Sequence, residues 1–131
     1  MTTPIRMVVA TSGLAVFTFL GAAHVLAADE GQLAFNTHCR TCHSTNEGDN
    51  RLGPSLHNIY GAKAGASAGY GSYSQGLARS GITWNEANLD QFIENPDQVI
   101  SNNNMKPYKG IGDEAIRKQI IEFLKSSSQG P

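Results

Sequence analysis

An all-α domain is the fold class this sequence predicts, and three patterns predict it. Near the C-terminus Ile116, Ile120, Phe123 and Leu124 recur at steps of four, three and one, the spacing of one helix face. Leu89, Phe92 and Ile93 make a second stripe that stops before Pro96. Gly31, Phe35 and Cys39 repeat at the i,i+4 interval that stacks side chains on one side of a third helix.

Taken in order, the chain opens on Arg6 and an uncharged run from Met7 to Ala27 that ends Val25-Leu26-Ala27. That is the pattern of a cleavable export signal, expected over residues 1–27. An uncleaved membrane anchor is the alternative, because the run is long enough to span a bilayer. Its later half is weakened by Gly13, Gly21, Ala22, Ala23 and His24. Either reading exports the rest of the chain. Cleavage leaves residues 28–131, one small domain with its core at about 29–126. That segment has nine Lys/Arg against eleven Asp/Glu, a formal charge of −2. An acidic domain without a basic stripe argues against nucleic-acid binding.

The first helix is expected from Asp29 to His38, with Asp29 and Glu30 at its positive end and Leu33, Ala34 and Phe35 apolar. Directly after it comes Cys39-Arg40-Thr41-Cys42-His43. Two cysteines three apart, followed at once by a histidine, are the pattern of covalent c-type haem attachment. Each thiol would form one thioether, and His43 would reach the iron as an axial ligand. A second ligand is then needed, and once the leader is removed Met105 is the remaining methionine. Two alternatives compete. A zinc half-site has too few ligands here. A thiol–disulfide pair leaves His43 and Met105 unused.

Residues 44–51 read as a polar loop, and Gly53-Pro54-Ser55-Leu56 as a tight change of direction. Five glycines within 61–72 mark a second loop. Ser74–Arg79 suits a short helix. Thr83 and Glu86 have capping-box spacing ahead of the Leu89 stripe, while residues 97–112 read as loop. The last helix begins near Gly112–Asp113 and is expected to pack across the Gly31–Phe35 helix.

With these pieces in sequence, GQLAF at 31–35, CRTCH at 39–43, GPSL at 53–56, GITW at 81–84, ENP at 94–96, Met105 and IRKQIIEFLK at 116–125, the chain resembles the class I cytochrome c family. The likeness is to its bacterial cytochrome c2-like and mitochondrial-type members. It implies a haem enclosed by helices and long loops, with one haem c per chain. Cys39 and Cys42 would be the attachment points, and His43 and Met105 the axial iron ligands.

The resemblance further implies that the Pro54 carbonyl orients His43. It makes Tyr70, Tyr73 and Trp84 candidate donors to a buried propionate, and Asn103 another, at a place where the family often has threonine. Phe92 stands where mitochondrial members carry tyrosine near the methionine sulfur, so it keeps the bulk and loses the hydroxyl. The family's arginine after the glycine corresponding to Gly61 is replaced by Ala62, followed by Lys63.

The implied function is that of a soluble one-electron carrier with a six-coordinate haem, not an enzyme, exported to the periplasm and monomeric. Redox proteins would be its partners: a cytochrome bc1 complex and terminal oxidase, a photosynthetic reaction centre or a dehydrogenase. Contact with membrane complexes would be peripheral, through loops carrying Arg40, Lys63, Lys106 and Lys109. Two other classes remain open at this point. One is a haem peroxidase or gas-binding protein with a displaceable Met105, and the other a haem-free CxxC redox or metal-binding module.

Overall fold

The computed structural model describes the backbone of residues 22–128 and the side chains of 29–128. Its helices are α1 (Ala22–His38), α2 (Gln75–Ala78), α3 (Glu86–Glu94), α4 (Pro96–Val99) and α5 (Glu114–Ser127). Extended pairing among the described residues is limited to one isolated antiparallel bridge, Lys63 with Thr83. The all-α expectation holds.

The first 21 residues of the expected leader lie outside the described residues; the rest belong to α1. This helix starts at Ala22 and not at Asp29, since the alanines, Val25 and Leu26 contain no breaker. Asp29 and Glu30 therefore sit inside the helix, and would fall in its first turn only in a chain that began near Ala28. No helix among the described residues is long and apolar enough to cross a membrane.

The molecule is built around the crossing of α1 over α5. A Cβ on Gly31 would lie 2.7 Å from the Gln119 carbonyl oxygen and 2.9 Å from Phe123 Cβ, so only glycine lets the two backbones approach this closely. Phe35 and Phe123 meet beside it with ring centroids 5.3 Å apart. Leu33 does not share this face. It lies two residues, about 200° of helical rotation, from both Gly31 and Phe35, and is 67 % exposed.

On α5 the buried side is Ile120, Ile121, Leu124 and, unexpectedly, Arg117; Ile116 and Phe123 are half-buried. Asp113 caps the helix, its carboxylate accepting from the Ala115 and Ile116 amides. Arg117 is stripped of water but fully engaged. Its guanidinium donates to Asp90 (2.7 Å) and to the carbonyls of Ile111 and Gly112 (3.0 Å each), tying α5 to α3. Arg117 lies three, four and seven residues before Ile120, Ile121 and Leu124, so helical spacing puts it on their face; only its charge argues for solvent.

The capping box of α3 is formed by Asn85 and Asn88, not by Thr83 and Glu86. Each asparagine side chain accepts the other's backbone N–H, at 2.8 and 3.0 Å. Thr83 is drawn away into the bridge with Lys63, and asparagine is at least as good a cap as threonine. A short helix, α4, follows at once inside the expected 97–112 loop, with Asn95 as its cap and Pro96 at its first turn. Gly110 closes that loop against α3: its φ is +98°, and a Cβ would fall 1.8 Å from the Glu94 carbonyl oxygen.

Candidate functional site

The C-terminal end of α1 winds directly into the cysteine pentad. Cys39 and Arg40 both donate to the Phe35 carbonyl, and Cys42 and His43 to that of Cys39, at 2.8–3.1 Å. These turns bring the two thiols and the imidazole onto one concave side. Both cysteines are free. Burial, with Cys42 adding to it, pushes the Cys39 thiol up to about 12, so it is protonated at neutral pH.

His43 is buried, and its Nδ1 lies 2.8 Å from the Pro54 carbonyl oxygen. A carbonyl can only accept, so Nδ1 carries the proton and Nε2 keeps a free lone pair. Burial holds the imidazole pKa below its ordinary value, against the opposing pull of the Pro54 bond. Neutral and of one tautomer, the ring is ready to bind a metal. Gly53 forms its cradle: a Cβ there would come 2.3 Å from His43 Cε1.

All ten candidate residues line one cleft of about 430 Å³: Cys39, Cys42, His43, Pro54, Tyr70, Tyr73, Trp84, Phe92, Asn103 and Met105. Leu89, Ile93, Ile120 and Leu124 supply apolar walls from α3 and α5. Trp84 and Phe92 pack together at 5.1 Å between centroids, and both are buried.

The polar candidates differ in what they have to offer. Tyr70 donates its hydroxyl proton to the Leu52 carbonyl at 3.0 Å. Tyr73 instead accepts from the Ser67 amide at 3.2 Å, which leaves its own proton to give. Asn103 has spent both amide N–H groups, on Asp97 (2.8 Å) and on the Ile100 carbonyl (3.0 Å). Its oxygen accepts the Met105 backbone N–H at 3.0 Å, which fixes the orientation of the amide. In this structure Asn103 thus organises the Met105 loop and has no donor left for a propionate.

Lys106 donates to Asp97 at 2.6 Å, so one member of the expected basic rim is already compensated. The same contact is the main reason the Asp97 carboxyl lies below the usual range. Tyr108, also on the cleft, escaped the sequence reading. Its hydroxyl donates to the Ile93 carbonyl at 2.6 Å, tying the Met105 loop to α3. Burial raises its phenol well above the normal value. An isolated loop tyrosine has no periodicity to mark it, and neither does the fit of Gly53 against His43.

The donor set suits haem c: two thiols, an imidazole nitrogen and a thioether line one largely apolar cleft. Among the described residues no cluster of three or more His, Cys, Asp or Glu side chains is arranged to hold a metal ion.

Comparison with known proteins agrees. The Cytochrome c family model matches residues 28–128. Cytochrome c2 iso-2 of Magnetospirillum fulvum is 41 % identical over 88 residues, covering 67 % of this chain and 90 % of that protein. Cytochrome c of Gibberella zeae is 35 % identical over 101 residues, covering 76 % and 93 %. The solved structure of cytochrome cH from Methylobacterium extorquens superposes with a TM-score of 0.68 at 37 % identity, over 76 % of this chain and 97 % of that one. With this fold and this motif, the chain belongs to the class I cytochrome c family, electron carriers that bind haem c covalently.

Proposed function

We propose that the chain is a diffusible one-electron carrier in which Cys39 and Cys42 anchor the haem while His43 and Met105 complete its iron coordination. One observation carries this reading: His43, fixed through Pro54, lines the same cleft as Met105 and both cysteines. When bound, haem c supplies a reversible one-electron couple.

The protein's part is to hold that couple still and dry. His43 is held in one tautomer by the Pro54 carbonyl, which keeps its orientation the same in both oxidation states. Met105 as the second ligand would favour the reduced iron and would leave no position for a substrate. Trp84, Phe92, Leu89 and Ile120 exclude water from the interior side. Tyr73 is the best-placed hydroxyl donor to a propionate, with the Trp84 indole beside the same cleft; Tyr70 contributes position more than a proton.

Export to the periplasm through cleavage after Ala27 accords with a family match that begins at residue 28. Donor and acceptor would be exported or membrane-bound redox proteins, namely a cytochrome bc1 complex and terminal oxidase, a photosynthetic reaction centre or a dehydrogenase, with the carrier monomeric. Of the expected basic rim, Arg40, Lys63 and Lys109 are exposed and form no ion pair among the described residues; Lys63 and Lys106 line the cleft itself.

An in-gel haem stain after denaturing electrophoresis, with mass spectrometry of the mature protein, tests attachment and processing together. One haem per chain and an N-terminus at Ala28 are expected. Met105→Ala should abolish the sulfur–iron charge-transfer band and admit small ligands to the iron. Persistence of the band in that variant rules out Met105 as the ligand.

A further inference from the structure

The segment bearing Met105 packs against the core through Met105 and Tyr108, while its other side chains face outward apart from the buried Asn103. Asn102, Asn104, Lys106 and Pro107 are exposed and Met105 is half-buried. Nevertheless it is tied down on both sides of the methionine by one carboxylate. Asp97 Oδ1 accepts from Asn103 Nδ2 at 2.8 Å and from Lys106 Nζ at 2.6 Å. Asn103 in turn accepts the Met105 backbone N–H. Asp97 itself stands on α4, which is anchored by the fully buried Pro96 and capped by Asn95, whose side chain accepts the Asp97 amide at 3.2 Å.

We propose that Asp97 is a positioning residue for Met105, one carboxylate that joins residues on both sides of the methionine to the start of α4, beside the Asn104 bond to the Ser72 carbonyl and the Tyr108 bond to Ile93, and so resists withdrawal of its sulfur from the cleft. The inference rests on the reading of Met105 as an iron ligand. Exposed ion pairs contribute little to global stability, and both partners here are about half exposed. The amide–carboxylate bond differs, because its donor Asn103 is only 4 % exposed and the bond is charge-assisted. Losing it leaves the Asn103 amide only its bond to the Ile100 carbonyl and loosens the 100–113 segment between α4 and α5, without removing any apolar contact from the core. The effect should therefore be local. The loop would open more often while the fold stays as stable as before.

The test uses the holoprotein with Asp97→Ala, Asp97→Asn and Lys106→Gln. Imidazole binding to the ferric iron reports how often the methionine leaves, and amide hydrogen exchange at Met105 reports the Asn103 contact directly. Asp97→Ala should speed both by about tenfold, the range of one charge-assisted hydrogen bond. Asp97→Asn, which keeps an acceptor for Asn103, should do so less. Lys106→Gln, which leaves the Asn103 bond intact, should have the smallest effect on Met105 exchange.

Denaturant midpoints and core amides on α5 should hardly move. Wild-type imidazole rates and Met105 exchange in Asp97→Ala overturn the proposal. So does a uniform acceleration of core amides in step with a lower midpoint, since that is a merely structural role. If the wild-type ferric protein lacks a sulfur–iron charge-transfer band, it is the axial reading of Met105 that fails.

Discussion

Replacing Gly53 by alanine would add one methyl group where the histidine ring already stands. The new Cβ would lie 2.3 Å from His43 Cε1, 2.8 Å from Nδ1 and 2.9 Å from Nε2, about 1 Å short of ordinary carbon contact. Neither side can yield freely. The Gly53 amide donates to the Cys42 carbonyl at 2.8 Å and its own carbonyl accepts from Arg51 at 2.9 Å. If the ring retreats it loses the 2.8 Å bond to Pro54; if the loop retreats it carries the Pro54 carbonyl away.

Overpacking of this kind costs about 1–3 kcal/mol and a lost hydrogen bond about 1 kcal/mol more. The entropic gain of a Gly→Ala change offsets roughly 0.4–1 kcal/mol of that. A net loss of about 2 kcal/mol is expected in denaturant unfolding of the holoprotein. The reduction potential should also rise, because an imidazole released from its carbonyl acceptor is a weaker donor to ferric iron. Gly71→Ala is the control: a Cβ there meets nothing within 4 Å, and stability should hold or improve slightly. Wild-type midpoint and potential in Gly53→Ala would refute the contact and the ligand-orienting role built on it.

Other outcomes are equally accessible. Ile120 is completely buried, so Ile120→Ala should cost about 2–5 kcal/mol, read from chemical denaturation. Asp97 has a folded-state pKa below its unfolded one, so its contribution is present above the unfolded value and lost as pH falls through the lowered one. The difference in Met105 amide protection between wild type and Asp97→Ala should therefore persist at pH 7 and vanish in acid; a difference that grew as the pH fell would reverse the sign of this argument. Neutralising Arg40, Lys63 and Lys109 should slow electron transfer to a physiological partner at low salt and flatten its ionic-strength dependence. Neutralising the compensated Lys106 should do less, and equal effects from all four would show that Asp97 does not mask it.

What the sequence determined by itself is what short-range geometry dictates. Cys39, Cys42 and His43 are neighbours along the chain, so their convergence needs no knowledge of the fold. The stripe on α5 and the interval from Gly31 to Phe35 fix which sides of two helices are apolar, and the α1–α5 crossing follows. Met105 was legible as the remaining methionine downstream of the leader, in a loop with no other use for it. The tertiary structure alone decided the contacts between segments far apart in sequence. Gly53 lies ten residues from the ring it cradles, Asp97 six and nine from the residues it ties, and Arg117 twenty-seven from Asp90. Hydrophobic periodicity reports how much of a side chain is hidden. It carries no record of which carbonyl or carboxylate a buried polar group finds, because that partner is chosen only when the loops close over the cleft.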